Sequence, residues 1–438
     1  MTEVRRTYYV LLALRWFATG LLIPITVLLP LDRGLSVAEM GMALAVQGFV
    51  VLALELPTGG LADTLGRKPV LAISGVVCLI ALGILLIAQS PLMFGAFAAL
   101  MGIYRALDSG PLDAWFVDES QRHDSAVDIT RGLAGGGTIV GLSIGGGALA
   151  AGGIVAWDPI DGLESLAVPV IASIVMQALA VAGVLFFMHE ERETAQSGFA
   201  ASLRDVPTTI AEGIGLLRES RAIKALVVIS ALWGFGMVAF ETMMPVRLAE
   251  MLDDRTAAGI LMGPVGAAGW IAFAAGSAIA PRIARRLGIL RTAGGLRLAQ
   301  GLAVVAMGVV AGPIGLVIAY LVTYAIHGAS GPLHSSLLHA QVTSKHRATV
   351  VSLSSLAAQP GGSIGLIVLG AIATQMSASA ALLCGAGVLA IAAPLYALVR
   401  TSTKRNEGGP HRTDPTSGRL IKQRAADRPE CHVRPDWT

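Results

Sequence analysis

The stretch Pro69–Gln89, PVLAISGVVCLIALGILLIAQ, has 21 residues and no charged side chain. An α-helix rises about 1.5 Å per residue, so a helix of this length matches the roughly 30 Å hydrocarbon core of a bilayer. Eleven further apolar runs of similar length are present, from Tyr8–Leu31 to Ala378–Val399. A membrane β-barrel would instead show segments of about ten residues with alternating polarity. We therefore predict an all-α polytopic membrane protein with about 12 transmembrane helices.

The composition excludes an ordinary soluble protein. Hydrophobic residues make up 54% of the 438 positions and charged residues 14%, and the mean hydropathy is +0.69. Soluble domains have about 25% charged residues. The net charge of +3 comes from basic residues that the topology explains, so we expect no nucleic-acid partner. Three scattered cysteines are too few for a disulfide framework, and we expect neither a metal nor a cofactor.

The basic residues predict the orientation of the helices. With both termini in the cytoplasm, the inner loops contain most of the Lys and Arg, whereas only Arg33, Arg247 and Arg255 lie outside. This distribution follows the positive-inside rule. We treat the apolar N-terminal stretch as an uncleaved first helix and expect a multi-pass protein of the cell membrane.

A short internal repeat divides the chain into two related halves. Ser109-Gly110-Pro111-Leu112 in the fourth span recurs as Ser330-Gly331-Pro332-Leu333 in the tenth, and Pro30 and Pro245 close the first and seventh. The repeat predicts two pseudo-symmetric six-helix bundles, between which a solute could bind near the midplane. The predicted regions are an N-terminal bundle (1–188), a cytoplasmic linker (189–221), a C-terminal bundle (222–400) and a disordered cytoplasmic tail (401–438).

The loop between the second and third spans, GGLADTLGRK at residues 59–68, carries a family resemblance. It resembles the cytoplasmic signature of the major facilitator superfamily, with Thr64 in place of the usual basic residue. Glycines allow a tight turn, and an Arg can form a charge-assisted bond with a carboxylate. The resemblance implies a cytoplasmic gate, and the alternative is a solvated turn that serves topology alone. The gate residues would be Gly59, Asp63, Gly66, Arg67 and Lys68, with Asp118 as their partner.

The fifth span contains glycines at a spacing of four. Gly137, Gly141, Gly145 and Gly146 resemble the antiporter motif of drug-exporting facilitators, although Leu142 stands where that motif has Pro. The resemblance implies a drug/proton antiporter-like branch. A helix-packing surface of small residues explains the glycines equally well.

The fourth span has three ionisable residues, Arg105, Asp108 and Asp113. Such residues are costly in a bilayer and need a partner, a cavity or an interface. Arg105 and Asp108 are three residues apart and are expected to pair on one helix face, either as a structural pair or near a proton path. Arg15 and Arg297, in other spans, are expected to extend to the cytoplasmic boundary.

The second half offers its own candidates for proton or substrate sites. His334 follows the second Ser-Gly-Pro-Leu as Asp113 follows the first, so the two are expected to approach each other across a central cavity. Tyr324 and His327 share a face of the same span, which is either a cavity wall or a packing surface. Glu241, in the seventh span, is an embedded carboxylate or one that extends outward.

These features predict a monomeric secondary active transporter that works by alternating access and is not an enzyme. Its partners would be protons, the lipid bilayer and a small-molecule substrate. The leading hypothesis is proton-coupled efflux of small hydrophobic or amphiphilic compounds. An importer or uniporter of a small metabolite is the alternative, and a non-transporting membrane sensor is a more distant one.

Overall fold

The computed structural model of the protein describes residues 2–59, 61–123, 128–190, 215–342 and 347–399, together with residues 208, 211 and 213. The predicted tail, 401–438, and most of the predicted linker, 189–221, lie outside the described residues. Within them, twelve helical segments are long and apolar enough to cross a membrane. The prediction of an all-α fold with about 12 transmembrane helices is confirmed.

The first six spans are formed by nine helices, because the first and fourth spans are each divided in two and a short helix follows the second. The helices are α1 (Thr2–Leu22), α2 (Ile25–Asp32), α3 (Val37–Gly59), α4 (Leu61–Leu65), α5 (Arg67–Ile87), α6 (Pro91–Asp108), α7 (Pro111–His123), α8 (Ile129–Trp157) and α9 (Val168–Phe187).

The last six spans are formed by seven helices, of which α10 and α11 together make the seventh span. The helices are α10 (Arg221–Glu241), α11 (Met243–Leu252), α12 (Arg255–Leu287), α13 (Ile289–Val309), α14 (Pro313–Ala340), α15 (Arg347–Gln375) and α16 (Ala378–Leu395). With an even number of crossings, α1 begins on the side of the membrane where α16 ends. We call this side the terminal face and the opposite side the far face.

Short polar residues start several of these helices. Ser90, Asp128, Ser220, Asp254 and Ser377 each accept a hydrogen bond from a backbone N–H in the first turn of the helix that follows. These caps satisfy donors that have no partner within the helix. The sequence thus specifies several ends of the spans through residues in the loops that connect them.

Two pairs of helices form the seams between the halves. α3 packs along α15, and α8 packs along α12. At the second seam, the backbones of Gly152 and Gly263 are so close that a Cβ on Gly263 would lie 2.8 Å from the Gly152 Cα. The first seam is bonded near the far face by the Ala38 N–H, which donates to Thr374 Oγ1 at 2.8 Å. Small residues therefore let the halves meet backbone to backbone.

The fourth span differs from the continuous helix that its hydropathy predicts. α6 ends at Asp108, Gly110 has a φ of 97°, and α7 starts at Pro111. The break follows from a proline without an N–H donor and a glycine that accepts positive φ. The tenth span has the same four residues, yet α14 continues through Pro332.

Candidate functional site

The first half contains a buried ion pair between α1 and α6. Arg15 and Asp108 form a salt bridge, with side chains only 9% and 15% exposed. The expected pair between Arg105 and Asp108 is therefore wrong, because Asp108 bonds across to α1 and Arg105 is exposed. The expectation that Arg15 extends to the boundary is also wrong, since neighbouring helices enclose its side chain.

Asp113 has a different partner from the one expected. The Tyr8 hydroxyl on α1 donates a 2.7 Å hydrogen bond to Asp113 Oδ1, and the Tyr8 ring stacks on Phe116. His334, its counterpart in the repeat, bonds to Ser230 and Tyr396 within the second half. The two residues do not bond to each other, because each is held by helices of its own half.

The turn before α5 is held by two carboxylates. Arg67 pairs with Asp118 of α7, and Glu190, just beyond α9, accepts hydrogen bonds from the backbone N–H groups of Arg67 and Lys68 at 2.7 and 2.9 Å. A carboxylate is favourable at a helix N-terminus, where backbone donors are unpaired. The turn thus connects α5, α7 and the segment after α9.

The glycines of the predicted gate have backbone roles. Gly66 precedes α5 with a φ of 91°, a backbone conformation that residues with a side chain rarely adopt. Gly59 is the last residue of α3. Asp63 belongs to α4, and its side chain lies outside the described part of the molecule.

The four glycines of the fifth span do not form one packing surface. Space is open around Gly137 and Gly141. Gly145 lies opposite Ala267 and Trp270 of α12, and Gly146 lies opposite Phe17 of α1, both at ordinary contact distances. The helix is continuous through Leu142. Closer contacts are made by neighbouring glycines, such as Gly152.

In the second half, Glu241 lies where α10 ends, and its carboxylate turns inward. The Tyr324 hydroxyl donates a 2.5 Å hydrogen bond to Glu241 Oε1. Tyr320 contacts Tyr324 ring to ring, with centroids 4.6 Å apart. The carboxylate is therefore bonded to α14 and does not extend outward.

His327 lies one turn along α14 from Tyr324 and is surrounded by aromatic rings. It stacks on Trp233 at 5.5 Å and contacts Phe240 and Phe273 at 5.4 and 5.3 Å. Trp233 and Phe240 belong to α10 and Phe273 to α12, so three helices contribute to this aromatic cluster. The polar, aromatic stripe expected on the tenth span is present, and its aromatic partners come from other helices.

Arg297 lies beside Trp233 of this cluster and is only 3% exposed. The expectation that Arg297 extends to the cytoplasmic boundary is therefore wrong. Its Nη1 donates to Gln300 Oε1 at 2.7 Å, and its guanidinium carbon lies 5.9 Å from the Trp233 ring centroid. Within the described residues it has no carboxylate partner. Four buried nitrogens here lack hydrogen-bond partners: Trp233 Nε1, Arg297 Nε, Gln300 Nε2 and His327 Nδ1. A buried charge without a counter-ion is costly, so Arg297 depends on its hydrogen bond to Gln300 and on the Trp233 ring.

Hydroxyl groups extend this region toward the terminal face. Tyr396 interacts with Arg297, and its hydroxyl lies 2.9 Å from His334 Nδ1. His334 Nε2 lies 3.0 Å from Ser230 Oγ, which bonds in turn to Ser354 at 2.7 Å. A series of titratable and hydroxyl side chains therefore runs through the C-terminal helices from Glu241 to Ser354.

Several of these residues were missed by the sequence analysis. Tyr8, Glu190, Gln300 and Tyr396 had no motif around them, and Trp233 was not assigned to a cluster. A signal existed for Glu190, because an acidic residue after an apolar span can cap a neighbouring helix. The others depend on which helices become neighbours, which the sequence pattern does not specify.

Twelve spans in two related groups, with ionisable side chains bonded inside each group, define a polytopic membrane protein of the transporter type. The sequence model of the Major Facilitator Superfamily matches residues 8–338. The chain belongs to that family.

Solved structures share the fold. The nucleoside transporter NupG superposes with a TM-score of 0.74 at 14% identity, covering 90% of this chain and 99% of that one. A bacterial homologue of the human lysosomal transporter Spinster gives 0.69 at 14% identity, covering 91% and 96%. The peptide transporter POT gives 0.69 at 14%, covering 90% and 94%. No curated protein sequence matches the chain.

Proposed function

We propose that the protein is a secondary active transporter that couples the movement of a small hydrophobic or amphiphilic compound to protons by alternating access, with efflux as its direction. The observation that carries this proposal is the Glu241 carboxylate, bonded to Tyr324 beside an aromatic cluster. Ionisable residues inside a helix bundle are typical of proton and substrate pathways. We place the protein in the cell membrane as a monomer with both termini in the cytoplasm.

Glu241 is the proposed site of competition between proton and substrate. When protonated, its carboxyl is neutral and suits its aromatic surroundings. When ionised, it needs a compensating group, which a cationic solute or a returning proton supplies. The partly exposed rings of Trp233 and Phe273 offer a surface for apolar and cationic groups, and the buried Phe240 ring packs against His327. His327, His334 and Tyr324 would relay the proton toward the terminal face.

The turn before α5 is the proposed gate. Arg67, Asp118 and Glu190 tie α5 to α7 and to the end of α9, so these elements move together when the terminal face opens. Gly59, Gly66 and Lys68 shape this turn, and we assign Asp63 to the same gate by the family resemblance. Asp113, bonded to Tyr8, is a second proposed proton site, and Arg105 is exposed where it can attract an anionic group.

An importer or uniporter is the alternative function, and a non-transporting sensor a more distant one. The names of the solved relatives include nucleoside and peptide transporters. Their identities of 14% carry the fold and leave substrate and direction open. The drug/proton antiporter-like branch is supported by the glycines of the fifth span and by the loop at residues 59–68.

The test compares Glu241→Gln with Glu250→Gln in proteoliposomes under an imposed pH gradient. Glu250 is the matched control, because it lies in the same half and pairs with Arg247 near the far face, away from the aromatic cluster. Uptake of ethidium, a planar hydrophobic cation, into inside-out vesicles measures efflux. We expect Glu241→Gln to lose at least ten-fold of the gradient-driven rate and Glu250→Gln to keep it.

Each other outcome has a distinct meaning. Full gradient-driven transport by Glu241→Gln would remove Glu241 from the coupling site and shift the assignment to Asp113. Transport by the unchanged protein that ignores the pH gradient would indicate a uniporter. Failure of efflux-deficient cells expressing the protein to resist any member of a panel of toxic compounds would favour the importer.

A further inference from the structure

We propose that a groove between α1 and α8 at the terminal face binds one anionic phospholipid of the adjoining leaflet. The groove has a volume of about 820 Å³. Arg5, Arg6 and Arg131 line its mouth, and Tyr9 together with small or apolar residues lines the remainder. Of the described residues that line it, none is Asp or Glu.

The three arginines lie at the same depth in the membrane. Arg5 and Arg6 are in the first turns of α1, Arg131 is in the first turn of α8, and both helices begin on the terminal face. This is the level of lipid headgroups. A phosphate between guanidinium groups can accept paired N–H···O bonds, which makes Arg a preferred partner of phosphate. Basic pockets between transmembrane helices bind anionic headgroups on the cytoplasmic side, which is where we propose that the terminal face lies.

The groove lies on a face of α1 turned away from the contacts that α1 makes with α6 and α7. Arg6, Val10 and Ala13 recur at helical spacing on one face of α1, and Val10 is 46% exposed. Another face of α1 contains Tyr8 and Arg15, which bond to α7 and α6 in the bundle interior. Since the groove residues occupy a face that these contacts leave free, a lipid can enter sideways from the bilayer.

The floor of the groove suits an acyl chain. Ala13 and Ala134 have short side chains, Gly135 lies against the Tyr9 hydroxyl, and that hydroxyl joins the helices by donating to the Gly132 carbonyl at 3.1 Å. From Arg6 to Ala13 the helix rises roughly 10 Å, so the groove extends from the headgroup level into the hydrocarbon. A free phosphate ion would leave this apolar part unfilled, whereas a phospholipid occupies both parts.

The experiment measures binding of phosphatidylglycerol and phosphatidylcholine to the purified full-length protein in detergent micelles by native mass spectrometry. The test variant is R5Q/R6Q/R131Q. The matched control is R285Q/R286Q/R291Q, which removes three exposed arginines from the same face in the other half. One basic residue near an anionic lipid contributes about five-fold in affinity, equivalent to about 1 kcal/mol. We expect the test variant to lose about 100-fold in phosphatidylglycerol affinity and the control to lose less than five-fold.

A second variant separates the acyl chain from the charge. Thr138 is exposed on the α8 wall, and Thr138→Phe fills the groove without changing any charge. We expect it to weaken phosphatidylglycerol binding at least five-fold, with Thr138→Ser unchanged, which decides the matter even if the triple variant does not fold. Equal losses in both triple variants, equal binding of the two lipids, or displacement of the lipid by equimolar inorganic phosphate would overturn the proposal.

Discussion

The same four residues, Ser-Gly-Pro-Leu, break the fourth span and lie inside a continuous tenth span. Proline has no N–H, so the carbonyl four residues earlier loses its helical partner. In the tenth span that carbonyl belongs to Gly328, and the Ser277 hydroxyl of α12 donates to it at 2.7 Å. In the tenth span a neighbouring helix thus supplies a donor to this carbonyl, whereas in the fourth span the Thr58 hydroxyl of α3 donates to the Ala106 carbonyl, one residue before the carbonyl that Pro111 leaves without a helical partner.

A second difference accompanies the first. Arg15 meets a carboxylate, Asp108, at the end of α6, whereas the position corresponding to Asp108 in the tenth span is Ala329. Arg297, in the ninth span, lies among neutral partners. The first half has a compensated charge and the second an uncompensated one. The two halves therefore differ in how each holds its buried arginine.

The largest expected effect is a loss of stability when the buried Arg15 loses its carboxylate partner, Asp108. Asp108→Asn would leave the Arg15 guanidinium buried without a counter-ion, and breaking a buried pair in this way costs about 3 to 5 kcal/mol. Thermal unfolding of the full-length protein in micelles measures the loss. Asp118→Asn is the control, as it removes the same charge from an exposed pair. A loss below about 1 kcal/mol for Asp108→Asn would show that solvent reaches Arg15.

Removing the uncompensated charge of Arg297 should change the stability of the protein in the opposite direction. Arg297→Met removes a buried charge that has no counter-ion in the described residues, and we expect the stability of the protein to rise by about 1 to 2 kcal/mol. Arg15→Met, measured in the same unfolding experiment, should lower it. If both substitutions destabilise the protein equally, Arg297 has an ionic partner and the contrast between the halves is lost.

Ser277→Ala tests whether the hydrogen bond from Ser277 to Gly328 stabilises the continuous tenth span. It leaves the Gly328 carbonyl unpaired, which should cost about 1 kcal/mol and increase amide exchange near Pro332. Hydrogen exchange followed by mass spectrometry locates the change along the chain. Ser277→Thr retains a hydroxyl and serves as the control. Unchanged exchange in Ser277→Ala would mean that the continuity of α14 has another cause.

The smallest effect is expected at the turn before α5. The Asp118 side chain is 51% exposed, so Asp118→Asn should cost less than about 1 kcal/mol. This loss should shrink further between 0.05 and 0.5 M salt, on the order of the screening range of surface charges. Unfolding midpoints at the two salt concentrations measure it. A loss above about 2 kcal/mol would place this pair with the buried ones.

The sequence predicted the features that depend on length or on a local motif. The twelve spans follow from runs of about 20 apolar residues, and the contact of Arg67 with Asp118 follows from the family resemblance. The partners of Arg15, Asp113 and Arg297 could not be predicted. They depend on the rotation of each helix about its axis, which packing with distant segments sets. The proline and glycine that permit the break after Asp108 are visible in the sequence, but the donation from Ser277 to Gly328 in the continuous tenth span is not.

Gly152 and Gly263, at the seam of α8 and α12, make the two halves meet along a surface without side-chain ridges. On such a surface no interdigitated side chains have to separate when one helix rotates against the other. A methyl group added at Gly152 would push the two helices apart, since its Cβ would come within 2.6 Å of the Ile260 carbonyl oxygen. An alanine at position 152 would therefore restrict the movement of α8 against α12. A single conformer could be held in this way for antibody selection or crystallisation.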